Sequence, residues 1–124
     1  PVENHFALES TDYPCAFELF DRLLSQGRQF DSVIAVNASV GLAVFAAAIK
    51  HGLHVPSDIS IISADISTVT LPSNIIRINL TNIAQNTSSM VETALEKLFE
   101  QIAGTQKTEI IYIPSTLVIG DSTK

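Results

Sequence analysis

The chain has 124 residues, enough for one domain or a large piece of one. Hydrophobic residues make up 46%, which argues for a packed core and against disorder, yet no apolar run reaches the about 20 residues that a membrane-spanning helix needs. Seven Lys plus Arg stand against 13 Asp plus Glu, a net charge of -6 that suits nucleic acid poorly, and a single cysteine, Cys15, excludes an internal disulfide or a multi-cysteine metal site.

The opening Pro1-Val2-Glu3-Asn4-His5 has no initiator Met and no signal-peptide pattern, so a processed fragment of a cytoplasmic protein is the expectation. Phe6 to Leu8 is a short apolar stretch that suits an edge strand. Ser10, Thr11 and Asp12 offer N-caps, and Pro14 suits a first helical turn. Ala16, Phe17, Phe20, Leu23 and Leu24 recur at helical spacing until Gly27. Residues 32–36 (Ser-Val-Ile-Ala-Val) read as a parallel strand covered on both faces.

An apolar, alanine-rich helix follows over about 39–51. Gly52 suits its C-terminal cap, Pro56 forbids its continuation, and Ile59 to Ser63 reads as a buried strand. Residues 64–74 are loop-like, and Ile75, Ile76, Ile78 and Leu80 suggest an extended segment. The pattern Met90 or Val91, Ala94, Leu95, Leu98, Ile102 gives an amphipathic helix over about 86–103, ended by Gly104. Residues 109–113 and 116–119 read as strands around Pro114. The alternation of strands and helices predicts an α/β fold with a Rossmann-like parallel sheet flanked by helices.

Such sheets take ligands beyond the carboxyl ends of their strands. Asn37 and Asp65 hold those places after the strands at 32–36 and 59–63. An amide and a carboxylate there can orient a polyol, sugar or nucleobase, although both residues also suit plain helix and turn capping. Cys15 falls in a first helical turn with no histidine placed beside it by any motif, which favours a packing role. His5, His51 and His54 have no metal-ligand spacing, and the five glycines form no phosphate loop. The triplets at Asn37, Asn79 and Asn86 match the glycosylation pattern without any sign of secretion. The helix over Val40 to Ile49 is apolar on more than one face, consistent with a buried helix or with one packing on both the sheet and a second subunit.

Three segments together resemble the effector-binding core of the LacI/GalR family of bacterial transcription regulators. They are Phe30 to Asn37 with Gly41-Leu42-Ala43, then Gly52 to Ile62 with Asp65, and Leu80 to Gln85 with Met90 and the end Pro114, Leu117, Val118, Ser122, Thr123. The resemblance implies a periplasmic-binding-protein-like (type I) core, of which residues 1–124 are the C-terminal portion, and a regulator rather than an enzyme. It implies a small polar effector bound by Asn37, Asp65 and Gln85, with no cofactor or metal. It further implies a homodimer formed through the Val40–Ile49 helix and the loop after Asp65. DNA would be contacted only through a domain outside this chain, and the helix over 86–103 would pack on the other subdomain. A periplasmic-type sugar-binding protein of related fold is the alternative. Ala38 and Ile66 stand where the family has acids, Ala64 replaces an aromatic or small polar residue, Val91 a frequent Gly, and Gly120 a near-terminal Arg.

Overall fold

The computed structural model describes residues 6–65, 68–70, 77–104 and 108–124. Helix α1 (Tyr13–Ser25) begins where Asp12 caps it, the carboxylate accepting from Cys15 N, with Pro14 in the first turn. Gly27 (φ 77°) ends it: its N–H donates to Leu24 O at 2.9 Å and that of Arg28 to Leu23 O at 3.1 Å, the paired bonds of a Schellman cap. Strand β1 (Ser32–Ala35) leads to helix α2 (Ala38–Lys50). Gly52 (φ 75°) closes α2 in the same way, with Gly52 N bonded to Ile49 O and Leu53 N to Ala48 O. The turn expected there is thus present, and it carries a cis Val55–Pro56 bond.

Strand β2 (Ser60–Ala64) follows, then β3 (Thr68–Thr70), β4 (Arg77–Asn79) and β5 (Thr81–Ala84). Helix α3 (Thr87–Ile102) and strand β6 (Thr116–Val118) complete the order. One sheet runs β1-β2-β5-β6, with β1, β2 and β5 parallel and β6 antiparallel to β5; β3 and β4 form a separate antiparallel pair. This is the α/β architecture expected of the chain.

Several expectations are corrected. Phe6 to Leu8 is not a strand: no neighbour among the described residues pairs with it, and Phe6 instead sets its ring edge-on to Phe30. Residues 109–113 likewise form no strand and lie largely exposed. The loop-like stretch after Asp65 contains β3, while Ile66, Ile75 and Ile76 lie outside the described residues, as does His5. β1 is covered on one face only: Ala35 is 2% exposed against the helices, whereas Ile34 is 73% and Val36 66% exposed.

The core lies between that covered face and the helices. Ala43, Ala47 and Ala48 of α2 meet Ile59, Ile61 and Leu80, with Phe20 and Leu23 of α1 beyond. Small side chains let α2 approach the sheet closely. A Cβ at Gly41 would sit 2.7 Å from Ser63 Oγ, so this helical position has no room for a side chain. The end of the chain is stitched across the sheet. The Ser122 hydroxyl donates to Ile61 O and accepts from Thr81 N at 2.8 Å, and Ile61 N donates to Ser122 O at 2.8 Å.

Helices α1 and α2 are tied at their ends by Asp21, which accepts from Lys50 Nζ and lies 2.8 Å from His51 Nε2. The Lys50 bond first, and the His51 bond second, hold the Asp21 carboxyl below its ordinary value of 3.8. A carboxyl depressed by folding stabilises the fold above its unfolded value and ceases to do so as pH falls through the folded value. The difference in Tm between the protein and its Asp21→Asn variant should therefore shrink below about pH 4. Thermal melts between neutral pH and pH 2 check this, and a difference independent of pH would remove the carboxylate as its source.

Candidate functional site

The register Ala35↔Ser63 and Ser63↔Asn82 sets the carboxyl ends of β1, β2 and β5 level along one edge of the sheet. Asn37, Asp65 and Gln85 lie just past those three ends, so topology brings the three to one side of the molecule. Their circumstances differ.

Asn37 is the N-cap of α2: its Oδ1 accepts from Val40 N at 2.9 Å, and its Nδ2 donates to Thr11 O at 3.1 Å. The capping role weighed from the sequence is therefore real. One N–H and one lone pair of the side-chain amide are left over from these bonds. The backbone is held too, since Ser63 Oγ lies 3.1 Å from Asn37 O. Ser63 and Thr11 were not legible as neighbours of this position; only the cluster of cap-forming residues at 10–12 hinted at Thr11.

Asp65 is exposed, and its φ of 69° places it in the left-handed region. It is the only non-glycine residue with positive φ among the described residues. An Asp tolerates this conformation better than most residues, though at some cost, and such backbone is concentrated at ligand sites. Its N–H donates to Ile83 O, and its Oδ2 accepts from Gln85 Nε2 at 3.1 Å. The structure thus joins Asp65 and Gln85 directly.

Beyond Gln85 a shallow cleft of about 280 Å³ runs between Asn86 and Met90 on one wall and Ile111 to Ser115 on the other. Gln85 lines this partly apolar recess and Asp65 stands behind it, hydrogen-bonded to the Gln85 amide, so an amide and a carboxylate together can meet a neutral molecule that offers hydroxyl or N–H donors. A larger groove, of about 910 Å³, lies along the free edge of β1 and is lined by Leu8 and Phe20 together with the exposed Ile34 and Val36.

The other candidates play structural parts. Cys15 is half-buried, its N–H bonded to Asp12. His51 and His54 pair with Asp21 and Asp58 near the end of α2. No group of three or more metal-binding side chains occurs among the described residues. No helix among the described residues is long and apolar enough to cross a membrane.

Residues 6–123 match the periplasmic binding protein-like domain. The HTH-type transcriptional regulator MalR of Clostridium butyricum is 30% identical over 107 residues, covering 86% of this chain and 31% of its own length. A structure of the Lac repressor dimer bound to operator and the anti-inducer ONPF superposes with a TM-score of 0.76 at 23% identity, over 90% of this chain and 38% of that one. A LacI family transcriptional regulator from Enterococcus faecium with bound ribose superposes with a TM-score of 0.72 at 23% identity, over 90% and 40%. The chain therefore spans about a third of the curated relative and about two fifths of these structures.

Proposed function

From the premise that this chain belongs to the periplasmic binding protein-like domain family, we propose that it senses a small polar effector for a LacI/GalR-type transcriptional regulator. Residues 1–124 form the C-terminal portion of the effector-binding and dimerisation core in this reading. The observation that carries it is the Asp65–Gln85 pair, set on constrained backbone at adjacent strand ends. The Asp65 carboxylate accepts from ligand hydroxyls, and Gln85 offers a donor and an acceptor beside it. Asn37 supplies its remaining amide capacity while fixing the start of α2. A sugar fits this equipment, and the structure of a LacI family regulator of the same fold with bound ribose supports it. Sensing requires no catalysis, and the regulator relatives agree with that.

Binding acts by differential affinity: the effector shifts the regulator between states that differ in DNA competence. DNA contact belongs to a domain outside these residues, in keeping with the net charge of -6 here. A cytoplasmic location goes with this role.

The test is thermal stabilisation of the intact protein by D-ribose, hexoses and free nucleobases. A ligand at a hundred times its Kd adds about 2.7 kcal/mol. A panel that moves no melting point, or moves those of Asp65 variants equally, counts against the site.

Dimerisation is proposed through α2, whose outer strip Leu42, Ala46 and Ile49 is the part not sealed in the core, together with the loop after Asp65, part of which lies outside the described residues. Sedimentation should show a mass that rises with concentration to twice the monomer, and a strict monomer at high concentration would sink this part.

A further inference from the structure

Strand β1 ends its sheet, so one of its edges has no partner strand among the described residues. Ser60 N donates to Asp31 O at 2.9 Å. Successive residues of a strand turn their peptide groups to opposite sides, so Asp31, Val33 and Ala35 face β2. Ser32, Ile34 and Val36 therefore turn their N–H and C=O to the open edge. Along that edge runs the groove of about 910 Å³, lined from the helices by Ala16, Phe20, Val40 and Val44. The side chains of Ile34 and Val36 stand exposed beside it.

This place suits one extended segment. It offers backbone donors and acceptors at its edge and apolar surface on both faces, so the segment that fills it has to be apolar on both faces too. The chain contains such a segment. Residues 109–113 (Glu-Ile-Ile-Tyr-Ile) carry four consecutive apolar side chains, form no strand, and leave Ile110 81% and Tyr112 89% exposed. Helix α3 is exposed as well, but its peptide groups are spent within the helix and cannot meet a strand edge.

One molecule cannot fill its own groove with this segment. Residues 109–113 lead into β6, at the opposite end of the sheet from β1. The spacings between β6 and a strand added beyond β1 come to about 19 Å. Only Pro114 and Ser115 separate Ile113 from Thr116, a reach of about 11 Å. Two molecules can fill each other's.

We propose that two copies of this chain exchange residues 109–113 as added strands. Each segment lies along the open edge of β1 in the other copy and pairs with Ser32, Ile34 and Val36. One set of its side chains enters the groove against α1 and α2, and the other set joins Ile34 and Val36. Two reciprocal insertions bury on the order of 1,600 Å² in all, the size of a standard stable interface. The exchange requires no effector and is separate from the α2 contact proposed above.

The test is a fluorophore-labelled synthetic peptide of residues 108–115, titrated with the 124-residue chain and followed by anisotropy. It should bind with a Kd below about 1 mM. Ile34→Pro removes one outward N–H and leaves the β2 side intact, a change that an edge strand tolerates. It should weaken the peptide about tenfold or more, with melting curves confirming the fold. Methylating the peptide's own amides, at Ile110 and Tyr112 or at Ile111 and Ile113, repeats the test with the protein untouched. At least one of these two peptides should lose about tenfold in affinity. A peptide that does not bind, or that binds equally well after either methylation, overturns the exchange. In an Ile49→Glu background, which removes the α2 contact, sedimentation should still reach twice the monomer mass. Ile110→Lys together with Tyr112→Lys should return that species to monomer. A strict monomer in the Ile49→Glu background, or a dimer that the two lysines leave intact, overturns the exchange as well.

Discussion

Replacing Gly120 by Ala should lower the melting temperature by about 10 °C, the largest loss expected of any single methyl group in this chain. The reason is steric. A Cβ at Gly120 would fall on the Asn79 carbonyl oxygen and 2.8 Å from the Leu80 carbonyl carbon. Both are backbone atoms of the β4–β5 junction and cannot swing aside as a side chain does. The segment 120–123 would have to lift, and lifting it breaks the bonds of Ser122 to Ile61 and Thr81 and of Asp121 N to Asn79 O. Ser122 and Thr81 are fully buried, so each broken bond strands a polar group at about 1 to 3 kcal/mol. Gly27→Ala is the control. Gly27 has φ 77° with open space around it, so its loss is conformational and about 1 to 2 kcal/mol. If the two variants melt together, the close approach at Gly120 is not a determinant of stability.

Three substitutions at Asp65 should separate ligand affinity from folding. Truncating a charged hydrogen-bond partner costs about 1.5 to 3 kcal/mol of binding, roughly a 10- to 100-fold rise in Kd. Asp65→Ala and Asp65→Gly should both show that loss for any sugar that stabilises the wild type. Their stabilities should differ. Alanine is poorly suited to φ 69°, so Asp65→Ala should also be destabilised by about 1 kcal/mol, whereas glycine accepts the conformation and should melt near the wild type. Asp65→Asn tolerates the backbone and still offers Gln85 an acceptor, so it isolates the charge. Calorimetric titration and melting curves on the three variants provide the readout. Unchanged affinity in Asp65→Gly removes the carboxylate from the ligand's contacts.

The helices were legible because their ends carry chemistry. Asp12 with Pro14, and the glycines at 27, 52 and 104, act where the sequence placed them. Strands β1 and β2 were legible as apolar runs bounded by turn residues, whereas β5 lies just beyond the extended segment expected at Ile75 to Leu80. What could not be read were features set by partners rather than by local pattern. Residues 6–8 and 109–113 look like strands, but no strand pairs with them among the described residues. β5 carries the polar Thr81 and Asn82, both buried, because Ser122 and Thr123 come back from the end of the chain to meet Thr81. No local signal announces a partner about forty residues away. The candidate positions were legible as strand ends: 37 and 65 follow from the fold. The hydrogen bond from Gln85 to Asp65, and the commitment of Asn37 to Thr11, depend on three-dimensional placement that spacing does not encode.

The Ser122 clamp also bears on how the chain assembles as it is synthesised. Ile61 and Ser122 are 61 residues apart in sequence, yet their bond helps close the gap between β2 and β5. Helices α1 and α2 can pair early, since their contacts join residues about thirty positions apart, but the sheet gains its last stitch only after Ser122 has left the ribosome. Late, non-local closure of this kind slows folding and leaves the strand edges open meanwhile. Deleting residues 121–123 should therefore leave β2 and β5 in the condition of a nascent chain whose clamp has not yet been made.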